Sequence, residues 1–191
     1  RFNLTRDALE KGATFANAGK GPLFASVSVY GSPTTAPVAT SQGFTLTKRV
    51  ATRDGKPVDL SLVRQNDRLV VVVTGKASAD RLHPSVLADL LPAGFEIEAI
   101  LNPEDGAQEG TSGPYKWIGP ISWTKVSEAR DDRFVAAIDL YDNKESFTVA
   151  YLVRAVTPGE FVFPGAVIED MYRPGVFART DVSRVKISAA Q

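Results

Sequence analysis

Apolar and polar residues alternate with a period of two along most of the chain, the pattern of strands with one buried face. Leu23, Ala25, Val27 and Val29 share a face opposite Ser26 and Ser28, and Phe44 and Leu46 alternate with Thr45, Thr47 and Arg49. Phe95, Ile97, Ala99 and Leu101 oppose Glu96 and Glu98, while Phe134, Ala136, Ile138 and Leu140 oppose Arg133 and Asp139. Phe147, Val149, Tyr151 and Val153 make a further long strand, and Val185 with Ile187 a last one. Residues 69–73 are instead a continuous apolar run, suited to a strand buried on both faces. Turn chemistry separates the runs at Gly31-Ser32-Pro33, Asp54-Gly55, Pro92-Ala93-Gly94 and Pro158-Gly159. One helix is expected, short, over residues 84–91, with Pro84 at its first position. Many short strands spaced by turns predict an all-β fold, an antiparallel β-sandwich with one short helix.

Two stretches lack strand patterning. Residues 102–113, polar and glycine-rich, read as a mobile surface loop. Residues 32–42, rich in Pro, Thr and Ala, read as a linker that divides a leading segment, 1–41, from a main sandwich, 42–191. The chain has 191 residues, 43% hydrophobic and 23% charged, enough to bury a sizeable core. It begins with Arg1 and is read as a piece of something longer, with any export signal outside it. Twenty-two basic residues balance 22 acidic ones without long runs of either sign, which argues against nucleic acid or an anionic membrane as partner. There is no cysteine, so thiolate metal sites, disulfides and cysteine nucleophiles are excluded within these residues.

The remaining chemistry is sparse. His83, the single histidine, reads as a loop residue before the short helix, and no Gly-x-Ser-x-Gly elbow supplies a nucleophile for it. The acidic pairs Glu104-Asp105, Asp131-Asp132 and Glu169-Asp170 are sequence neighbours, which in strands point to opposite faces and build no acid–base pair. The stretch from Asn102 to Gly106 lacks the spacing of a calcium loop, and no cofactor or metal is expected. Trp117 and Trp123, flanking Gly119-Pro120 in what reads as a strand pair, either close a core or stack on sugars. On residues alone the chain is a binding or interaction module, a free-standing carbohydrate-binding or adhesion domain being one form and a carboxylate hydrolase a weaker rival.

Several stretches resemble the C-terminal macroglobulin-like domain of bacterial alpha-2-macroglobulins. They are Gly43-Phe44-Thr45-Leu46, Leu91-Pro92-Ala93-Gly94-Phe95, Arg130-Asp131-Asp132-Arg133-Phe134, and Thr157-Pro158-Gly159-Glu160-Phe161 followed by Glu169-Asp170-Met171-Tyr172-Arg173-Pro174. Gly21-Pro22-Leu23-Phe24-Ala25 and Tyr30-Gly31 resemble the end of the CUB-like domain that precedes it in that family. The resemblance implies a macroglobulin-like, receptor-binding-domain-like sandwich, not an enzyme, within a protease-trapping protein. In that family a bait region is cut, the protein rearranges, and a thioester in a separate domain captures the protease. The implied part of this chain is to dock on the thioester domain of the same full-length chain and shield the bond, with target proteases met only through the whole protein. Met171 and Tyr172 are the implied shield, with Glu169, Asp170, Arg173 and Pro174 as the supporting loop. The family also implies a periplasmic lipoprotein of the inner membrane, with no direct membrane contact by these residues.

Overall fold

The computed structural model describes residues 3–28, 30–31, 35–77, 81–108, 111–141 and 144–190. Contacts divide the chain into a unit over Arg1–Thr34 and a larger one from Thr35 onward. The first unit holds one short helix, Arg6–Glu10, capped by the Thr5 hydroxyl, which accepts the Ala8 N–H; it buries no residue. Its alternating run at 23–28 is not a strand, and Leu23, Phe24 and Val27 are exposed. Val29 lies outside the described residues. A strand needs a neighbour for its backbone groups and a cover for its apolar face, and the described part of this unit supplies neither.

The larger unit is built of β1 (Thr40–Gln42), β2 (Phe44–Thr52), β3 (Val63–Arg64), β4 (Arg68–Ala77), β5 (His83–Leu90) and β6 (Phe95–Leu101). A ribbon follows, β7 (Ala107–Gln108) and β8 (Thr111–Ser112), then β9 (Val126–Ala129), β10 (Arg133–Leu140) and β11 (Ser146–Ala155). The chain closes with β12 (Gly159–Phe163), β13 (Ala166–Asp170), β14 (Arg173–Arg179) and β15 (Ser183–Ser188). A six-stranded sheet runs β1-β14-β13-β5-β10-β9, a four-stranded one β2-β4-β11-β6, and a three-stranded one β12-β15-β3. All pairings are antiparallel except that of β15 with β3. The β-sandwich expected from the sequence is thus present.

Leu87, Phe134, Ile138 and Ile168 from the six-stranded sheet meet Phe44, Val71, Val73, Tyr151 and Val153 from the four-stranded one in a single core. The continuous run of β4 is buried on both faces, as its composition requires: Val71 and Val73 enter this core, while Val70 and Val72 pack under Tyr115 and Ile121. The chain that follows the polar stretch 102–113 therefore covers the outer face of the four-stranded sheet through Tyr115 and Ile121. Two 3-10 turns, Pro103–Asp105 and Lys116–Ile118, carry the chain across.

Two sequence expectations are corrected. Residues 84–91 are not a helix; 84–90 fall in β5, a central strand, and Leu91 follows it. The inward face of β5 is His83, Ser85, Leu87 and Asp89, three of them polar, and its apolar Leu90 points outward, which inverts the usual pattern. Residues 40–42, placed in the linker by composition, form β1 and pair with β14.

Candidate functional site

Polar residues on β5 create two buried clusters, one near each end of the strand. Near the last residue of β5 the Asp89 carboxylate is fully buried between the layers. Lys48 on β2 donates to its Oδ1 at 2.6 Å, and the Tyr151 hydroxyl on β11 donates to its Oδ2 at 2.7 Å. The same ammonium donates to the Pro164 carbonyl and lies 3.8 Å from the centre of the Phe163 ring. Burial pushes the Asp89 carboxyl up and the Lys48 ammonium down from their ordinary values, against the pull of each on the other. A groove of about 430 Å³ lined by Leu46, Val50, Val58, Leu60 and Phe163 runs beside Lys48. The lysine's bonds all turn inward to Asp89 and Pro164, so this cluster ties the two sheets together rather than facing a ligand.

The second cluster stands at the end of the six-stranded sheet where β5 begins, β10 and β13 finish and β14 starts. In β13, Ala166, Ile168 and Asp170 face inward while Glu169 is exposed, so the adjacent acids Glu169 and Asp170 part as strand geometry demands. The turn at Met171 and Tyr172 joins β13 to β14. Asp170 is 2% exposed, and its carboxylate gathers the turn around itself. Its Oδ1 accepts the backbone N–H groups of Tyr172 at 2.9 Å and Arg173 at 3.0 Å. Its Oδ2 accepts Nδ1–H of His83 at 2.9 Å and the Arg173 guanidinium at 3.0 Å. Desolvation pushes this carboxyl up, but the Tyr172 amide, His83 and Arg173 together outweigh it and hold the group below the usual carboxylate range.

The neighbours of the turn are fixed as well. The Met171 N–H donates to the Pro84 carbonyl at 2.8 Å, and the Arg173 guanidinium donates to the Leu82 carbonyl. His83 is buried rather than set in a loop, and its ring meets Phe44 edge-on, 5.4 Å between centres. Above this base Met171 is 49% exposed and Tyr172 78% exposed. Leu82 is half exposed beside them. Leu140 pairs with His83, which puts the exposed Tyr141 at the same end of the sheet. The site is thus an apolar, sulfur-bearing tip on a buried polar base. Of the residues singled out from the sequence, Met171 and Tyr172 form the tip, Asp170 and Arg173 the base, and Glu169 and Pro174 lie exposed at its rim. Sequence reasoning missed His83, whose partner is 87 residues away.

The arrangement offers little for catalysis. Ser85, the hydroxyl nearest His83 along β5, is fully buried and donates to the His83 carbonyl at 2.9 Å, turned away from any attack on a bound substrate. Asp132 is taken up by Arg133 at 2.6 Å, and Asp105 accepts the Asn102 N–H in capping its 3-10 turn. Among the described residues no group of three His, Cys, Asp or Glu side chains is placed to hold a metal. Trp117 and Trp123 do not form a strand pair. Trp117 donates to the Arg53 carbonyl at 3.0 Å and covers Gly55, whereas Trp123 is 65% exposed in irregular chain.

The sequence profile of the bacterial alpha-2-macroglobulin MG10 domain matches residues 43–175. An alpha-2-macroglobulin of Xylella fastidiosa is 34% identical over 189 residues, covering 96% of this chain and 11% of the relative. Among solved structures, native Escherichia coli alpha-2-macroglobulin from domain MG7 to the C-terminus superposes with a TM-score of 0.68 at 31% identity, covering 83% of this chain and 25% of that one. Salmonella alpha-2-macroglobulin reacted with methylamine superposes at 0.66 with 29% identity, covering 83% of this chain and 10% of that one.

Proposed function

The chain belongs to the bacterial alpha-2-macroglobulin MG10 domain family, and from that premise we propose that it is the non-catalytic domain that shields a thioester held elsewhere in the full-length protein. An acyl thioester exposed to water or amines is consumed, so an unspent bond requires a cover that excludes solvent without offering a nucleophile. A methionine side chain meets that need: it is apolar, polarizable and adapts to irregular gaps. A neighbouring tyrosine adds a broad amphipathic wall. The observation that carries the reading is the exposure of Met171 and Tyr172 together on a hairpin tip that is itself bonded into the sheet. With no cysteine in its 191 residues, this chain cannot carry the reactive bond and acts on one supplied by another domain. Protease capture is the work of the whole protein, which we place in the periplasm as an inner-membrane lipoprotein; these residues by themselves inhibit nothing.

The test is Met171→Ala in the full-length protein, with methylamine uptake measured before any protease is added. Faster uptake than wild type is expected. Unchanged uptake removes Met171 from the shield.

A further inference from the structure

The tip raises a physical question that its exposure alone does not answer. A two-residue turn at the edge of a sheet is ordinarily among the more mobile parts of a fold. A shield that samples several conformations covers its target only part of the time. Here the turn closes on one buried carboxylate that takes up two backbone N–H groups, an imidazole and a guanidinium. Burying an acid and a histidine at the end of a core strand is a poor way to gain stability, because apolar side chains of similar volume serve at least as well. What such a cluster does provide is a single geometry, since each donor is directed and each is costly to leave unmade.

We infer that His83 and Asp170 are positioning residues, which hold the Met171–Tyr172 tip in the one conformation that fits against the partner domain. This rests on the shielding function proposed above. Asp170 fixes the turn through the amides of Tyr172 and Arg173. His83, held by β5 and by the Phe44 ring, fixes Asp170 relative to the sheet. The Met171 N–H on the Pro84 carbonyl ties the tip to the same strand. Neither His83 nor Asp170 reaches the surface, so neither touches the partner; each acts through Met171 and Tyr172.

The test uses the full-length protein and spontaneous methylamine uptake. His83→Leu removes the donor, whereas His83→Asn keeps an amide N–H close to where Nδ1 stands. His83→Leu and Asp170→Asn are expected to raise uptake roughly tenfold, and His83→Asn is expected to restore it to within about threefold of wild type. In a Met171→Ala background His83→Leu should add less than about twofold, because the tip it positions is already lost. A role confined to stability is excluded by the asparagine rescue and by this lack of additivity. Full multiplication of the two effects, or equal uptake in the Leu and Asn variants, overturns the positioning role. If Met171→Ala itself leaves uptake at the wild-type rate, the shielding function falls and this inference with it. If Met171→Ala raises uptake while His83→Leu and Asp170→Asn do not, the inference alone falls. Should His83→Leu fail to fold, Asp170→Asn against wild type and His83→Asn decides in the same way.

Discussion

Replacing Asp89 with Ala should cost this domain more than any apolar truncation of similar size. The carboxylate is buried, and removal leaves the Lys48 ammonium without its counter-charge and the Tyr151 hydroxyl without its acceptor. Breaking a buried pair by removing one partner costs about 3–5 kcal/mol, and the orphaned hydroxyl adds about 1–3 kcal/mol. The Pro164 carbonyl and the Phe163 ring still face Lys48 and soften the loss, so we expect about 4 kcal/mol in all. At a urea slope of about 2 kcal/mol per molar, the midpoint of unfolding falls by about 2 M. The triple change Lys48→Met, Asp89→Leu, Tyr151→Phe removes every member of the network. It should recover to within about 1–2 kcal/mol of wild type, since a well-packed apolar set replaces such clusters with little loss. An Asp89→Ala midpoint within about 0.5 M of wild type would refute the reasoning, as would a triple variant no better than the single one. The result bears on function because β5 carries Asp89 and His83 on one face near its two ends, so pinning the strand at Asp89 helps set where His83 meets Asp170.

Asp170 and Gly75 give two further expected outcomes. Asp170 titrates below its unfolded value near 3.8, so its contribution to stability is present above that pH and is lost as pH falls through the lower folded value. Urea midpoints at pH 5 and pH 3 should therefore fall further for wild type than for Asp170→Asn; equal falls would contradict the assignment. His83 from β5 and Arg173 from β14 face this carboxylate and remain in both proteins. Gly75 on β4 lies opposite Phe147 on β11, and an added Cβ there would stand 2.5 Å from the phenyl ring and 2.8 Å from the Thr45 carbonyl. Gly75→Ala should cost about 2–3 kcal/mol by overpacking, read as a lowered melting temperature, and a neutral change would show that the ring can yield.

The chain's all-β nature was legible because most strands expose one face and bury the other, as β10 does with Phe134, Ala136, Ile138 and Leu140 turned inward. The doubly buried β4 was legible from its unbroken run of valines. β5 was not legible, because its inward face carries His83, Ser85 and Asp89, whose burial is made tolerable by partners supplied from distant strands. Lys48 lies 41 residues from Asp89 and Asp170 lies 87 from His83, and no local pattern records such pairings. The segment around Tyr115 and Ile121 was not legible for the opposite reason. Its polar residues bend the chain, while the apolar Tyr115 and Ile121 that cover the sheet are too widely spaced to show a period. At the tip, Met171 and Tyr172 stood out only through the family resemblance; their exposure came from the hairpin, and the base beneath them came from the fold.

The shielding function is tested most directly by placing a photo-crosslinking benzoyl-phenylalanine at Tyr172 in the full-length protein and irradiating it before and after bait-region cleavage. The expected product before cleavage is a crosslink to a peptide bordering the thioester cysteine, and that product should disappear once the protein has been cut. A crosslink that maps elsewhere, or one that persists unchanged after cleavage, would contradict it.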